Sequence, residues 1–131
     1  MHFFSLVAYL CSRYTGDRNA YTRELFYLAD TISYMENNFP KHLKVKDLAE
    51  RANLSERHFS RVFVKNYHIS PIEYIIKLRL QYAKKLLKIP DLSISQIAEL
   101  SGFYNSSAFS RKFKEVYGLS PSKYRQLLQI K

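Results

Sequence analysis

Apolar residues in this chain recur three and four positions apart, the spacing of one face of a helix. Ile94, Ile97, Ala98 and Leu100 form one such stripe, which stops at Gly102, and Phe109, Phe113 and Val116 form another, which stops at Gly118. The pattern predicts two short helices broken at a glycine. Ser93 and Gln96 stand in capping-box register, in which each side chain satisfies an orphan backbone N–H of the first turn. Gly118 falls where the second helix should end.

The same reading extends upstream. Thr22 is a candidate N-cap for a helix striped by Leu25, Leu28, Ala29, Ile32 and Met35 and followed by Pro40. A further pair of short helices covers Val45–Arg51 and 55–66, with Ser55 as N-cap of the latter and no comparable cap before Val45. Between the pairs runs the longest helix, 71–87, opened by Ser70-Pro71-Ile72-Glu73. That sequence combines a capping box with proline at the first helical position, where a missing N–H costs nothing. Within it Ile75, Leu78, Ala83, Leu86 and Leu87 supply apolar contacts to both pairs, while Lys77, Lys84, Lys85 and Lys88 are solvated or touch backbone. Phe3, Leu6, Val7, Leu10 and Tyr14 also keep helical spacing, in a run too short to span a bilayer and without a signal peptide's basic preface.

The two helix pairs are repeats of one unit. Leu48-Ala49 aligns with Ile97-Ala98 at an offset of 49. Phe59-Ser60-Arg61-x-Phe63 aligns with Phe109-Ser110-Arg111-x-Phe113 at an offset of 50, as do Tyr67 with Tyr117, Ser70-Pro71 with Ser120-Pro121, and Tyr74 with Tyr124. One residue inserted in the second turn accounts for the change. The polar residues repeat as well. At about 100° per residue, Ser107, Ser110, Arg111 and Lys114 cluster opposite the Phe109 face, and Arg57, Ser60, Arg61 and Val64 take the same angular positions opposite Phe59. A duplicated face of small hydroxyls and cations suits a DNA major groove: serine lets the backbone approach, arginine bonds guanine bidentately, and lysine neutralises phosphate. His58 lies on the flank, where a structural role competes with a phosphate contact.

These motifs resemble the DNA-binding domain of AraC/XylS-type transcription regulators over about residues 25–129. The matching elements are Ile97-Ala98, Gly102-Phe103, Phe109-Ser110-Arg111-Lys112-Phe113-Lys114, Gly118-Leu119-Ser120-Pro121 and Tyr124-Arg125. Small Ser106 and Ser107 stand where relatives often carry larger base-reading residues, and His68 stands in place of the usual glycine of the first repeat. The resemblance implies sequence-specific binding of double-stranded DNA and regulation of transcription, with activation as the outcome and RNA polymerase as a possible partner. The base readers expected are Arg57, Ser60 and Arg61 in the first unit and Ser106, Ser107, Ser110 and Arg111 in the second, with Lys65, Lys112 and Lys114 on phosphates. Arg79 matches a position of the family and is expected to be structural before DNA-contacting.

The expected architecture is all-α: two helix-turn-helix subdomains, 22–69 and 89–131, joined by a linker helix at 70–88, about seven helices in all. An N-terminal helix at 1–13 and a linker at 14–21 precede them. By resemblance, that first helix is the end of a sensor and dimerisation domain. The linker helix, about 26 Å long at 1.5 Å per residue, is expected to space the recognition helices by about one DNA turn, so that both enter successive major grooves.

Charge sharpens this picture. The chain carries +10 overall, but residues 41–131 hold 18 Lys/Arg against 7 Asp/Glu and residues 1–40 hold 3 against 4, so the cationic character belongs to the repeats. Charge alone would also suit a non-specific architectural DNA-binding protein, but that alternative leaves the matched phase of two polar faces unexplained. The single cysteine, Cys11, excludes an intramolecular disulfide and a four-cysteine zinc site and agrees with a reducing cytoplasm. The four histidines are dispersed without ligand spacing, and three scattered glycines cannot build a phosphate loop. No cofactor, metal or catalytic constellation is expected.

Overall fold

The computed structural model describes residues 19–129, which form seven helices and no strand. They are α1 (Asn19–Asn38), α2 (Val45–Arg51), α3 (Glu56–Tyr67), α4 (Pro71–Leu86), α5 (Ile94–Ser101), α6 (Ser106–Tyr117) and α7 (Pro121–Leu128). They divide into two compact units, one of residues 19–38 and Leu43–Ile75, the other of Phe39–His42 and 76–129. Helix α4 contributes residues to both. The N-terminal helix expected at 1–13 and most of the linker expected at 14–21 lie outside the described residues.

Helix ends follow the capping chemistry. Ser55, Ser93, Asn105 and Ser120 each accept a backbone N–H three residues on, from His58, Gln96, Ala108 and Lys123. At α5 the capping box is complete, since Gln96 Oε1 also accepts from Ser93 N–H at 2.8 Å. Ser70 Oγ accepts from Glu73 N–H at the start of α4. Lys44, before α2, makes no side-chain cap.

The C-terminal ends show the duplication at backbone resolution. Asn53 N–H bonds Glu50 O and Leu54 N–H bonds Ala49 O; Gly102 N–H bonds Glu99 O and Phe103 N–H bonds Ala98 O. These are two Schellman turns offset by 49, each with a left-handed residue, Asn53 at φ 58° and Gly102 at φ 96°. Helices α3 and α6 end alike, with His68 N–H on Val64 O and Gly118 N–H on Lys114 O, both at 2.8 Å, and both cap residues left-handed. The offset changes between Phe103 and Asn105, which makes Tyr104 the inserted residue; it is 95% exposed.

Each unit is built around one aromatic ladder. In the first, Phe63 packs on Phe59, Tyr67 and Tyr74 at centroid distances of 5.8, 5.0 and 5.6 Å. In the second, Phe113 packs on Phe109, Tyr117 and Tyr124 at 5.7, 4.7 and 5.5 Å. Leu28, Ile32, Met35 and Leu48 complete the first core, which also takes Ile75 from α4; Leu80, Ala83, Leu87 and Ile97 complete the second.

Five expectations are corrected. Residues 19–21 belong to α1 rather than to a linker, and Thr22 is buried inside that helix rather than capping it. Val116 is 55% exposed, because the buried stripe of α6 follows the i, i+4 ridge from Phe109 through Phe113 to Tyr117, which drifts about 40° per step and leaves Val116 behind. Leu100 is 47% exposed, since α5 buries Ile97, Ala98 and Ser101 instead. The repeat carries the sign of both, as the counterparts of Val116 and Leu100 are polar, Asn66 and Arg51. The linker helix ends at Leu86 rather than 87 or 88.

Candidate nucleic-acid interface

Phe59 and Phe63 on α3, and Phe109 and Phe113 on α6, are wholly buried, which fixes the rotation of each helix about its axis and turns the opposite stripe outward. On α3 that stripe is Arg57, Ser60, Arg61 and Val64; on α6 it is Ser107, Ser110, Arg111 and Lys114. Both follow i, i+3, i+4, i+7 spacing, so the four side chains of each line one face. Arg57, Arg61, Val64, Ser107, Arg111 and Lys114 are exposed, and Ser60, Ser106 and Ser110 are half-buried beside them.

The guanidinium groups of Arg57, Arg61 and Arg111 and the ammonium of Lys114 form no ion pair among the described residues. They therefore present uncompensated positive charge. Other cations are engaged. Lys112, on the flank of α6, is 3.3 Å from Glu115 and lines an open cleft of about 410 Å³ with Arg79, Phe103, Tyr104 and Arg111. Of the phosphate candidates it is the most committed internally. Lys65 Nζ lies 5.8 Å from the centroid of the Tyr21 ring, still exposed.

The flanking residues resolve into structural roles. His58 Nε2 is 2.8 Å from Glu24 Oε1, directed at α1. Arg79 is half-buried and donates from Nε to Phe39 O at 2.7 Å and from Nη2 to Lys41 O at 3.0 Å. Burial lowers its pKa, and the two carbonyls offset that desolvation. Arg125 repeats the arrangement in the second unit, with Nε on Leu87 O and Nη2 on Ile89 O, both at 3.1 Å. In each case the fork grips carbonyls two residues apart, a match for the planar geometry of guanidinium. Sequence reading missed this role of Arg125 and the Asn105 cap; an asparagine three residues before Ala108 was the available signal for the cap.

Among the described residues no helix is long and apolar enough to cross a membrane, and no group of three metal-ligating side chains comes together.

A family described as a helix-turn-helix domain matches residues 48–127. The Msm operon regulatory protein of Streptococcus mutans is 36% identical over 103 residues, 79% of this chain and 37% of its own length. The lactose operon transcription activator of Staphylococcus xylosus is 31% identical over 99 residues, 76% of this chain and 36% of its own. This chain thus spans little more than a third of either relative. Among solved structures, the DNA-binding domain of AdpA, a global transcriptional factor captured in complex with a target DNA, superposes with a TM-score of 0.75 at 29% identity, covering 79% of this chain and 93% of that one.

Proposed function

Because the chain belongs to the AraC-type helix-turn-helix family of transcription regulators, we propose that it binds double-stranded DNA in a sequence-specific manner by laying α3 and α6 in successive major grooves. The observation that carries this reading is the duplicated outward stripe, in which two helices with the same buried phase present serine hydroxyls beside guanidinium groups that form no ion pair among the described residues. Arg57, Ser60 and Arg61 read bases in one half-site, and Ser106, Ser107, Ser110 and Arg111 in the other. Lys65 and Lys114 contact phosphate, and Lys112 does so once released from Glu115. In this reading the two half-sites lie about one DNA turn apart.

The protein regulates transcription in this reading, as an activator like the lactose operon relative, acting in the cytoplasm at the nucleoid without enzymatic activity. RNA polymerase is its further partner. The DNA-binding domain takes in the described residues from α1 onward, with 70–88 as the connection between its halves.

The test is fluorescence anisotropy of the chain against a randomised duplex pool of about 20 bp, followed by the enriched site and its scramble across a salt series. Preference of about a thousandfold or more for an asymmetric site with two boxes one turn apart is the expected result. Equal affinity for site and scramble with a steep salt slope would mean a binder driven by charge alone.

A further inference from the structure

Val64 is the one apolar residue in the outward stripes of α3 and α6. It is 45% exposed in the last turns of α3, whereas Val62, two residues away, is 9% exposed and faces the core. Its position completes the i, i+3, i+4, i+7 stripe with Arg57, Ser60 and Arg61, and the equivalent position in α6 holds Lys114. Of the two matched faces, which also differ at Arg57 and Ser107, one thus carries a β-branched apolar residue next to Arg61 and Lys65 where the other carries an ammonium.

The chemistry of the surroundings narrows what can cover it. The guanidinium groups of Arg57 and Arg61 on the same stripe, which form no ion pair among the described residues, disfavour an apolar protein partner, which would have to desolvate them. A major groove satisfies those groups with base-edge acceptors and phosphates, and it offers one apolar group, the C5-methyl of thymine. Ser60, one turn back and half-buried, keeps the helix surface low enough for a short side chain to reach the groove floor. Arg57 and Val64 are seven residues apart, about 10.5 Å along the helix axis, so they face base pairs about three steps apart.

We propose that Val64 is a specificity-determining residue that reads a thymine methyl in the half-site bound by α3, an inference that rests on the DNA-reading function proposed above. The equivalent place in the other half-site is met by Lys114, which responds to charge rather than to a methyl group. The two boxes therefore differ in kind at matched positions: one selects thymine there, the other is tolerant.

Replacing each thymine of the enriched duplex in turn with deoxyuridine removes only the methyl group and tests this directly. The full chain is expected to lose about fourfold in affinity at one thymine, the worth of one buried methyl-sized carbon. Val64→Ala is expected to bind the thymine and deoxyuridine duplexes equally at that position. Val64→Lys is expected to lose the thymine dependence too and to steepen the salt slope by about one unit. Sensitivity at no thymine, or sensitivity that persists in Val64→Ala, overturns the assignment while leaving site-against-scramble preference intact. Loss of that preference in the wild-type chain overturns base reading altogether, Val64 included.

Discussion

Arg79 Nε donates to the carbonyl of Phe39 at 2.7 Å, forty positions back along the chain. With the second bond to Lys41 O, it fastens the turn at Phe39–His42 to α4, and that turn then walls the glycine of the second helix-turn-helix. A Cβ on residue 102 would lie 2.8 Å from Pro40 Cα and 2.9 Å from Arg79 Nε itself.

Arg79→Ala removes two charge-assisted hydrogen bonds and leaves two carbonyls short of a donor. Urea denaturation should show a loss of about 2–3 kcal/mol, discounted from full burial because the group is half-exposed. Arg79→Lys should recover less than half, since an ammonium cannot span both carbonyls. Full recovery by lysine would show that charge, not the fork, matters.

The left-handed caps provide matched controls. Gly102→Ala combines a positive φ with contact against backbone and should cost well over about 2 kcal/mol; Gly118→Ala meets only open space and should cost about 1–2 kcal/mol, from φ alone. His68 occupies the same conformation as Gly118, at φ 66°, so His68→Gly should gain about 0.5–1 kcal/mol after glycine's entropic penalty. Thermal melts of the three variants rank them in that order, or the backbone account is wrong.

Ser101 is wholly buried at the end of α5, and its Oγ finds no hydrogen-bond partner among the described residues. Its counterpart in the first repeat is Ala52, equally buried. Ser101→Ala should therefore stabilise the protein by about 1 kcal/mol, read as a higher denaturation midpoint at unchanged slope.

Glu36 sets a pH dependence. Burial raises its carboxyl above the ordinary 4.5, and Oε1 is buried without a hydrogen-bond partner among the described residues. A pKa higher in the folded state means that folding favours the protonated form. That contribution is complete below pH 4.5 and is lost as pH rises through the folded value. Glu36→Gln stays neutral, so its stability advantage over the wild type should grow as pH rises through this window and then level off. An advantage that shrinks with rising pH would contradict the sign.

On DNA, Arg61→Ala or Arg111→Ala should cost about 1–3 kcal/mol and relax preference at one position of the corresponding box. Lys114→Ala should weaken all duplexes alike and lower the salt slope by about one unit. Selection on randomised duplexes and a salt titration separate the two behaviours.

Much of this was legible from local pattern. Helical period, the caps at Ser55, Ser93 and Ser70, the stops at Gly102 and Gly118, the repeat, and the rotation of Arg57, Arg61 and Arg111 away from the phenylalanines are all set by residues within a turn or two of one another. Backbone geometry and capping bonds act over that range, so the order of residues along the chain encodes them. What required the tertiary structure were the pairings between distant positions: Arg79 with Phe39, Arg125 with Leu87, and His58 with Glu24. The fates of stripe-edge residues did as well. Whether Val116 or Tyr117 enters the core depends on the direction in which one helix crosses its neighbours, and periodicity along a single helix carries no information about that angle.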